Sequence, residues 1–515
     1  MLGKCYLFNE NPTNIDIYGK ILLPWFYIYH CQVFIELINN TQIQPGLFIP
    51  WKGKTGLVIK LTKGLGKGRC LLMGFNLLSF FKGGVHPPGN KHFTEGKPVE
   101  KAKVPALVYI PLQQHIGAPC EPIVKPGDRV KMGQVIGQQK GHVCAPIHSS
   151  VSGKVKSIIP FATTHGNKVQ TLVIENDGLD TPAESIMGRN IDEVSAQEIL
   201  DIVLDAGIVG LGNATFPTHV KLSPPADKVI EAVILNGSEC EPYLTADHRL
   251  MVEEPDAVIG GLKLIMKVLG VETGYIGIED NKPDAIAAIK DAIGEDPNIS
   301  VRILKTMYPQ GCERKLIETI TGRQVPSGGL PMDVGIIVNN VTTAAQIYKS
   351  VSTGMPLIER IVTITGRGIN SSKNLLVRFG TLVSDVVDDC GGLSCEPGKV
   401  IVGGPMMGET QHTMDIPITK GVSGIIFMPQ EEVGEEEILP CIRCAKCIQV
   451  CPIRLMPLSI SAHSLKGEYD TCETLHALDC VECGACSYIC PSKRPLQESI
   501  KLAKEVIIDR RRNGN

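Results

Sequence analysis

CIRCAKCIQVCP at Cys441–Pro452 and CVECGACSYICP at Cys480–Pro491 carry the same cysteine spacing twice, each run closing on a proline. Three thiolates with two residues between them wrap a loop around three irons of a cubane, while the fourth, three residues on, points toward the neighbouring site. The spacing therefore assigns Cys441, Cys444, Cys447 and Cys490 to one [4Fe–4S] cluster, and Cys480, Cys483, Cys486 and Cys451 to a second. Zinc sites draw four ligands into one tetrahedron from paired C-x-x-C units, a pattern that two complete runs do not follow. Two cubanes held this way form a one-electron wire, so chemistry on electron pairs must reside elsewhere in the chain.

With 51 basic and 54 acidic residues the formal charge is −3, which gives no electrostatic footprint for nucleic acid. Eighteen cysteines without a visible secretory signal, eight of them in metal-ligand spacing, point to a reducing, cytosolic compartment. Cys120, Cys144, Cys240, Cys312, Cys390, Cys395 and Cys472 lack ligand spacing and read as incidental or buried thiols. The most apolar stretch, Ile21–Ile35, is short and is interrupted by Pro24, His30 and Gln32, so no transmembrane helix is expected.

The chain is expected to be multidomain α/β. Residues 1–72 hold both tryptophans, four of eleven tyrosines and three acids, and read as an over-extension without a stable fold. Residues 73–185 form a β-rich module in which VKPGDRVKMGQVIG (Val124–Gly137) and APIHSSVSGKV (Ala145–Val155) resemble the halves of a lipoyl-like sandwich. Lys140 in the intervening hairpin lacks a biotin carrier's flanking methionines and reads as a scaffold lysine. Over residues 186–347 helices and strands alternate, which implies a parallel sheet. Ser195–Glu198 is a capping box opening a helix that ends at Gly207, and Val229–Leu235, Gly274–Ile278 and Val301–Thr306 read as strands. Residues 348–429 resemble a β-grasp domain, and residues 430–515, opening on the acidic QEEVGEEE, form a helical dicluster domain of ferredoxin type.

GIVGLGNATFPTHVKL (Gly207–Leu222), LNGSECEPYLTADHR (Leu235–Arg249), YPQGCERKLIETITGRQVP (Tyr308–Pro326) and VNNVTTA (Val338–Ala344) occur in that order. Together they resemble the NADH-binding flavoprotein subunit of respiratory complex I. The resemblance implies that Gly207, Gly210 and Gly212 approach an FMN phosphate with Lys221 adding charge, and that Phe216 stacks on the dinucleotide. It further implies Asn236 at a strand end, Tyr308, Gly311 and Glu313 in a second loop, and Asn339 and Asn340 in a third. Glu239 and Glu241 are the carboxylates it places near the isoalloxazine and nicotinamide ribose. Val209, Leu211, Asn213, Ser238 and Cys312 depart from that pattern and leave the phosphate end less cationic.

The whole chain over about Phe81–Arg512 resembles the RnfC family, the C subunits of the Rnf electron-transport complex. That resemblance implies electron transfer between NAD(H), FMN and two [4Fe–4S] clusters, coupled to Na⁺ or H⁺ translocation. It implies the other Rnf subunits, and indirectly ferredoxin, as partners, and a peripheral place on the cytoplasmic face of the cell membrane. The alternatives are a cobalamin reductase of the microcompartment type, which the N-terminal position of the sandwich module opposes, and an electron-wire adaptor without nucleotide chemistry. The family likeness begins near Leu77–Lys82, and Gly68-Arg69-Cys70 can be encoded by a ribosome-binding run, so translation is expected to start at Met73. N-terminal sequencing of protein from the native host checks this, and a mature chain beginning before Met73 would contradict it.

Overall fold

The computed structural model describes residues 4–8, 70–74, 83–212, 214–434, 437–512 and 514. The chain divides into two compact units, Met1–Leu78 and Ser79–Asn515. In the first, β1 (Lys4–Phe8) and β2 (Cys70–Gly74) pair antiparallel, with Lys4 opposite Gly74 and Phe8 opposite Cys70. Met73, the expected start, lies in β2 opposite Cys5, and the rest of residues 1–72, expected to lack a stable fold, lies outside the described residues apart from these strands.

The second unit opens with β3 (Val99–Lys101), β4 (Leu107–Pro111), β5 (Glu121–Pro122), β6 (Arg129–Val130), β7 (Val135–Gln138), β8 (Ile147–His148), β9 (Gly153–Ala162) and β10 (Lys168–Asn176). Two antiparallel sheets, ordered β4-β10-β9-β6 and β5-β7-β8, face each other. Alternation builds the sandwich: Gly153 and Val155 point inward while Lys154 and Lys156 meet solvent. Val108, Ile110, Val130, Ile136, Ile147, Leu172 and Ile174 fill the space between the sheets. Lys140 is exposed and pairs with Glu121.

The next layer contains α1 (Ala196–Asp205), α2 (Thr218–Lys221), β11 (Ala232–Gly237), α3 (Ala246–Glu253), α4 (Pro255–Leu269), β12 (Gly274–Glu279), α5 (Pro283–Ile293), β13 (Ile299–Leu304), α6 (Glu313–Thr321), β14 (Ile336–Asn340) and α7 (Val341–Thr353). The capping box is present, with the Ser195 N–H donating to Glu198 at 2.8 Å, and Gly207 follows the helix at φ +64°. All strands run parallel in the order β13-β12-β11-β14. Val233 and Leu235 face a core shared with α4 and α7, whereas Ala232 and Ile234 face Leu316 and Ile317 of α6. Burial on both faces explains the unbroken apolar run of β11. That strand starts three residues later than the sequence suggests, because pairing begins where Ala232 meets Ile336, and Val229 is 77 % exposed.

A six-stranded sheet follows, with β15 (Glu359–Thr365), β16 (Lys373–Arg378), α8 (Val383–Asp389), β17 (Pro397–Val402), β18 (Glu409–Gln411) and β19 (Gly424–Pro429). Its order is β18-β17-β19-β15-β16-β3, so a strand from the expected N-terminal module completes the sheet of the expected 348–429 domain. The chain is thus less separable than a linear division implies. The tail is helical, with α9 (Lys446–Val450), α10 (Pro457–Ser464), α11 (Tyr469–Thr474), α12 (Ala485–Tyr488) and α13 (Leu496–Arg512) around Ile460, Cys472, Ile500 and Ile507. Among the described residues no helix is long and apolar enough to cross a membrane.

Two glycines let α4 and α7 touch. A Cβ on Gly261 would lie 1.9 Å from the Ala344 carbonyl oxygen, and one on Gly260 2.2 Å from the Tyr348 ring. In an exposed helix, Gly→Ala stabilises by about 1 kcal/mol. Here Gly261→Ala is expected to destabilise by roughly 1–3 kcal/mol instead, because the methyl overpacks the crossing. A thermal-melt comparison checks the sign, and a higher midpoint for the variant would contradict it.

Candidate functional site

The carboxyl ends of β11 and β14 lie side by side, with Leu235 opposite Asn339 and Asn236 opposite Asn340. In parallel sheets this edge is where ligands meet backbone and short polar side chains. The Asn236 amide donates to the Gly311 carbonyl at 2.8 Å, which joins the first and second sequence loops. Asn340 caps α7, its Oδ1 accepting from the Thr342 N–H at 2.8 Å, and its Nδ2 donates to Asp247 at 2.6 Å. Burial, with Glu239 adding repulsion, pushes Asp247 up to about 6. Asn339 is buried and its Nδ2 has no hydrogen-bond partner among the described residues. The same holds for Ser238 Oγ, Thr218 Oγ1 and Gln310 Oε1, all on or beside the loops read from the sequence. Orphaned polar atoms at a strand edge fit a ligand with hydrogen-bonding groups along its length, as FMN has.

The Gly-rich loop is built differently from the sequence expectation. A Cβ on Gly207 would lie 2.3 Å from the Pro146 carbonyl, and the Gly207 carbonyl accepts from Lys420 at 2.7 Å. Gly207 is thus a packing contact with the β sandwich. The Gly210 N–H is consumed by the Phe216 carbonyl at 2.9 Å, so it closes the loop and does not face a phosphate. Of the three glycines, Gly212 is the exposed one, and a Cβ there would press on Asn340 at 3.2 Å. Val209 and Leu211 point into the core, which accounts for apolar residues where the complex I pattern has arginines. Phe216 is half-buried, and Lys221 pairs with Glu313 at 2.7 Å.

Glu239 also departs from its expected role. Its backbone sits at φ +44°, and its carboxylate accepts from the Asp247 and His248 N–H groups at 2.8 and 3.1 Å. Both oxygens therefore satisfy donors at the start of α3, a position where an anion meets the positive end of the helix dipole. Glu241, two residues on, is the carboxylate that faces the interior. It accepts from the Met406 N–H at 3.1 Å and from the Tyr308 hydroxyl at 3.4 Å. Burial raises it to about 7. Two residues that sequence reasoning missed hold this loop. The buried Lys91 ammonium donates to the carbonyls of Glu239, Glu241 and Leu244 at 2.8, 3.0 and 2.5 Å. Lys282, also buried, donates to the Ser238 carbonyl at 2.6 Å and pairs with Glu279 at 3.2 Å. No local pattern marks either lysine, since their partners are remote carbonyls.

Tyr308 links this pocket to the cysteine-rich tail. It packs with Val85, Cys483 and Ala485, against which Cys240 and Met406 also rest. Its backbone pairs with Val85, while the neighbouring Gly84 N–H donates to the Val450 carbonyl at 2.8 Å. Asp479 fastens the tail to the second loop through Arg314 at 3.4 Å and the Gly328 N–H at 3.0 Å.

In the tail, Cys441, Cys444, Cys447 and Cys490 line one cavity. In the other group, burial pushes Cys486 up to about 12, and Cys480 and Cys451 act on it as neighbouring charges. Burial likewise raises Cys483, with Cys486 and Cys480 contributing. The two motifs share a backbone shape as well as a spacing. Arg443 and Glu482 have a left-handed φ of +56° and +54°, and Ala445 and Gly484 one of +60° and +71°. The Arg443 and Glu482 N–H groups each point at the preceding cysteine sulfur at 3.4 Å. Left-handed turns at non-glycine positions cost about 1 kcal/mol or more each.

Comparison with known proteins agrees with this arrangement. Residues 203–349 match the Nuo51 FMN-binding domain, and residues 79–179 match the RnfC barrel sandwich hybrid domain. The C subunit of the Na⁺-translocating ferredoxin:NAD⁺ oxidoreductase complex of Acetobacterium woodii is 53 % identical over 84 % of this chain and 98 % of its own. Its counterpart in the proton-translocating ferredoxin:NAD⁺ oxidoreductase complex of Clostridium ljungdahlii is 50 % identical over 83 % of this chain and 94 % of its own. The C subunit of the ion-translocating oxidoreductase complex of Rhodobacter capsulatus is 40 % identical over 83 % of each. At 40–53 % identity over more than four-fifths of its length, the chain belongs to the RnfC family, the C subunits of ion-translocating ferredoxin:NAD⁺ oxidoreductase complexes.

Proposed function

We propose that this chain carries electrons between NAD(H) and two [4Fe–4S] clusters through a bound FMN, as the nucleotide-side subunit of a ferredoxin:NAD⁺ oxidoreductase complex. Its place is peripheral, on the cytoplasmic face of the membrane, where the nucleotide pool lies. The observation that carries this reading is Tyr308, which touches the Glu241 carboxylate on one side and packs with the cluster ligand Cys483 on the other. A single buried side chain thereby connects the two sites.

FMN supplies the exchange between electron pairs and single electrons. The chain's own residues bind and orient. Asn236, Asn339 and Asn340 at the strand edge offer neutral hydrogen-bonding groups, and the Lys221–Glu313 pair at the mouth of the loop offers a cation to a phosphate. Glu241, buried with Tyr308, holds a charge that changes near neutrality and would act on a nicotinamide bound beside it. The two sets of thiolates, Cys441, Cys444, Cys447 and Cys490, and Cys480, Cys483, Cys486 and Cys451, each hold one cluster. The cobalamin reductase and adaptor alternatives have no observation in their favour.

Because the folded-state pKa of Glu241 is raised to about 7, the side chain is neutral below that pH and anionic above it. NADH-driven flavin reduction is therefore expected to speed up as pH rises through about 7. Glu241→Gln is expected to flatten that profile and to slow reduction by about tenfold at pH 8, with cluster content intact. Stopped-flow bleaching of the flavin reads both, and an unaltered pH profile in the variant would remove Glu241 from the chemistry.

Cys490→Ser is expected to damage the cluster of Cys441, Cys444 and Cys447 and to spare the one of Cys480, Cys483 and Cys486. EPR of the reduced protein distinguishes the two, and selective loss of the second signal would reverse the assignment.

A further inference from the structure

His115, Cys120 and Cys144 converge where the β sandwich meets the Gly-rich loop, although 5 and 29 residues separate the histidine from its two sulfur partners. All three side chains are buried. The two sulfurs lie 3.5 Å apart, and His115 Nε2 is 3.8 Å from Cys120 Sγ and 3.7 Å from Cys144 Sγ. A tetrahedral zinc ion with bonds of about 2.3 Å to sulfur and about 2.05 Å to nitrogen spaces two sulfurs by ~3.8 Å and sulfur from nitrogen by ~3.6 Å. The observed triangle matches one face of that tetrahedron. A disulfide, by contrast, needs sulfurs about 2.05 Å apart and has no use for an imidazole.

The imidazole is oriented for the same purpose. Its Nδ1 lies 3.2 Å from the Ile116 carbonyl, so a proton held there leaves Nε2 unprotonated on the side of the sulfurs. Metal-ligating histidines are fixed in this way by a backbone carbonyl on the far nitrogen. Nε2 lies 3.2 Å from the Ala145 N–H, a hydrogen bond that zinc ligation would replace, and 3.1 Å from the Ala145 carbonyl oxygen. Two thiolates and an imidazole form a soft donor set that suits Zn²⁺ and not the hard cations.

We propose that His115, Cys120 and Cys144 form a zinc site, separate from both iron–sulfur clusters. As Zn²⁺ binds, the two S–H bonds give up two protons to solvent and two Zn–S bonds form, so the site becomes neutral overall. Among the described residues no further histidine, cysteine or acidic side chain joins the trio, so water or another small ligand completes the tetrahedron. The site clamps the flavin loop to the sandwich. The Ile116 N–H reaches the Thr215 carbonyl at 3.4 Å, and Gln114 accepts from the Lys420 N–H at 3.2 Å. Lys420 Nζ in turn donates to Pro146 and Gly207 at 3.1 and 2.7 Å.

The test is metal analysis of the full chain, purified anaerobically with its clusters in place. About one zinc per chain is expected beyond the iron, and zinc K-edge absorption is expected to show two sulfur neighbours at about 2.3 Å. The C120S/C144S double variant is expected to lose the zinc and keep its iron. Wild-type protein without zinc, zinc without sulfur neighbours, extra iron in its place, or a Cys120–Cys144 disulfide found by mass spectrometry would each overturn the proposal. The absorption experiment needs no variant, so a misfolded double mutant does not blunt the test.

Discussion

The hydrogen bond from the Tyr308 phenol to the Glu241 carboxylate is the contact on which the functional arrangement depends. It lies between two bodies of different character, a parallel sheet with polar strand ends and a helical tail with nine thiols. Met406 closes the same gap from a third direction. Its N–H meets Glu241, and its carbonyl would lie 2.6 Å from a Cβ on Gly484, inside the second cysteine motif. A Cβ on Gly404 would lie 2.2 Å from Glu241, so that glycine is needed for the six-stranded sheet's loop to cover the carboxylate. Burial of Glu241 and the nearness of the second cysteine motif are therefore two results of one packing event.

Three buried lysines hold the segments that make this packing possible. Lys91 gathers the carbonyls of Glu239, Glu241 and Leu244, Lys282 holds Ser238, and Lys420 joins Pro146 to Gly207. Taking an ammonium group out of water costs several kcal/mol unless hydrogen bonds replace its solvation. Here each ammonium finds carbonyls belonging to loops that bend too sharply for sheet or helix pairing, as at Glu239 and Tyr243, with φ +44° and +69°. Burial lowers the pKa of Lys91 and takes that of Lys420 to about 8.

What was legible in the sequence follows from how local each feature is. The cysteine runs could be read as a repeated motif because their spacing lies within twelve residues, and the repeat shows again in the matched left-handed turns at Arg443 and Glu482. The alternation of helices and strands could be read because buried parallel strands are continuous apolar runs. Glu239 and Glu241 could not be told apart, since one caps a helix starting seven residues later and the other meets Tyr308 across 67 residues. Gly207 and Gly210 looked like phosphate-loop glycines because motif resemblance does not show that Pro146 and Phe216 occupy the space and the donor. Cys120 and Cys144 were legible as buried thiols, but their closeness was not, because it arises only in the fold, across 24 residues. β3 crosses into another sheet for a similar reason: its partner, β16, lies more than 270 residues away.

Electrical continuity between the nucleotide chemistry and the clusters, through the Tyr308 region, is tested most directly by mixing the fully reduced, flavin-loaded chain with NAD⁺. Absorbance follows NADH, and freeze-quench EPR follows the clusters. NADH is expected to form in step with loss of the cluster signals. Clusters that stay reduced while no NADH forms, in protein with its full flavin and iron content, would contradict that continuity.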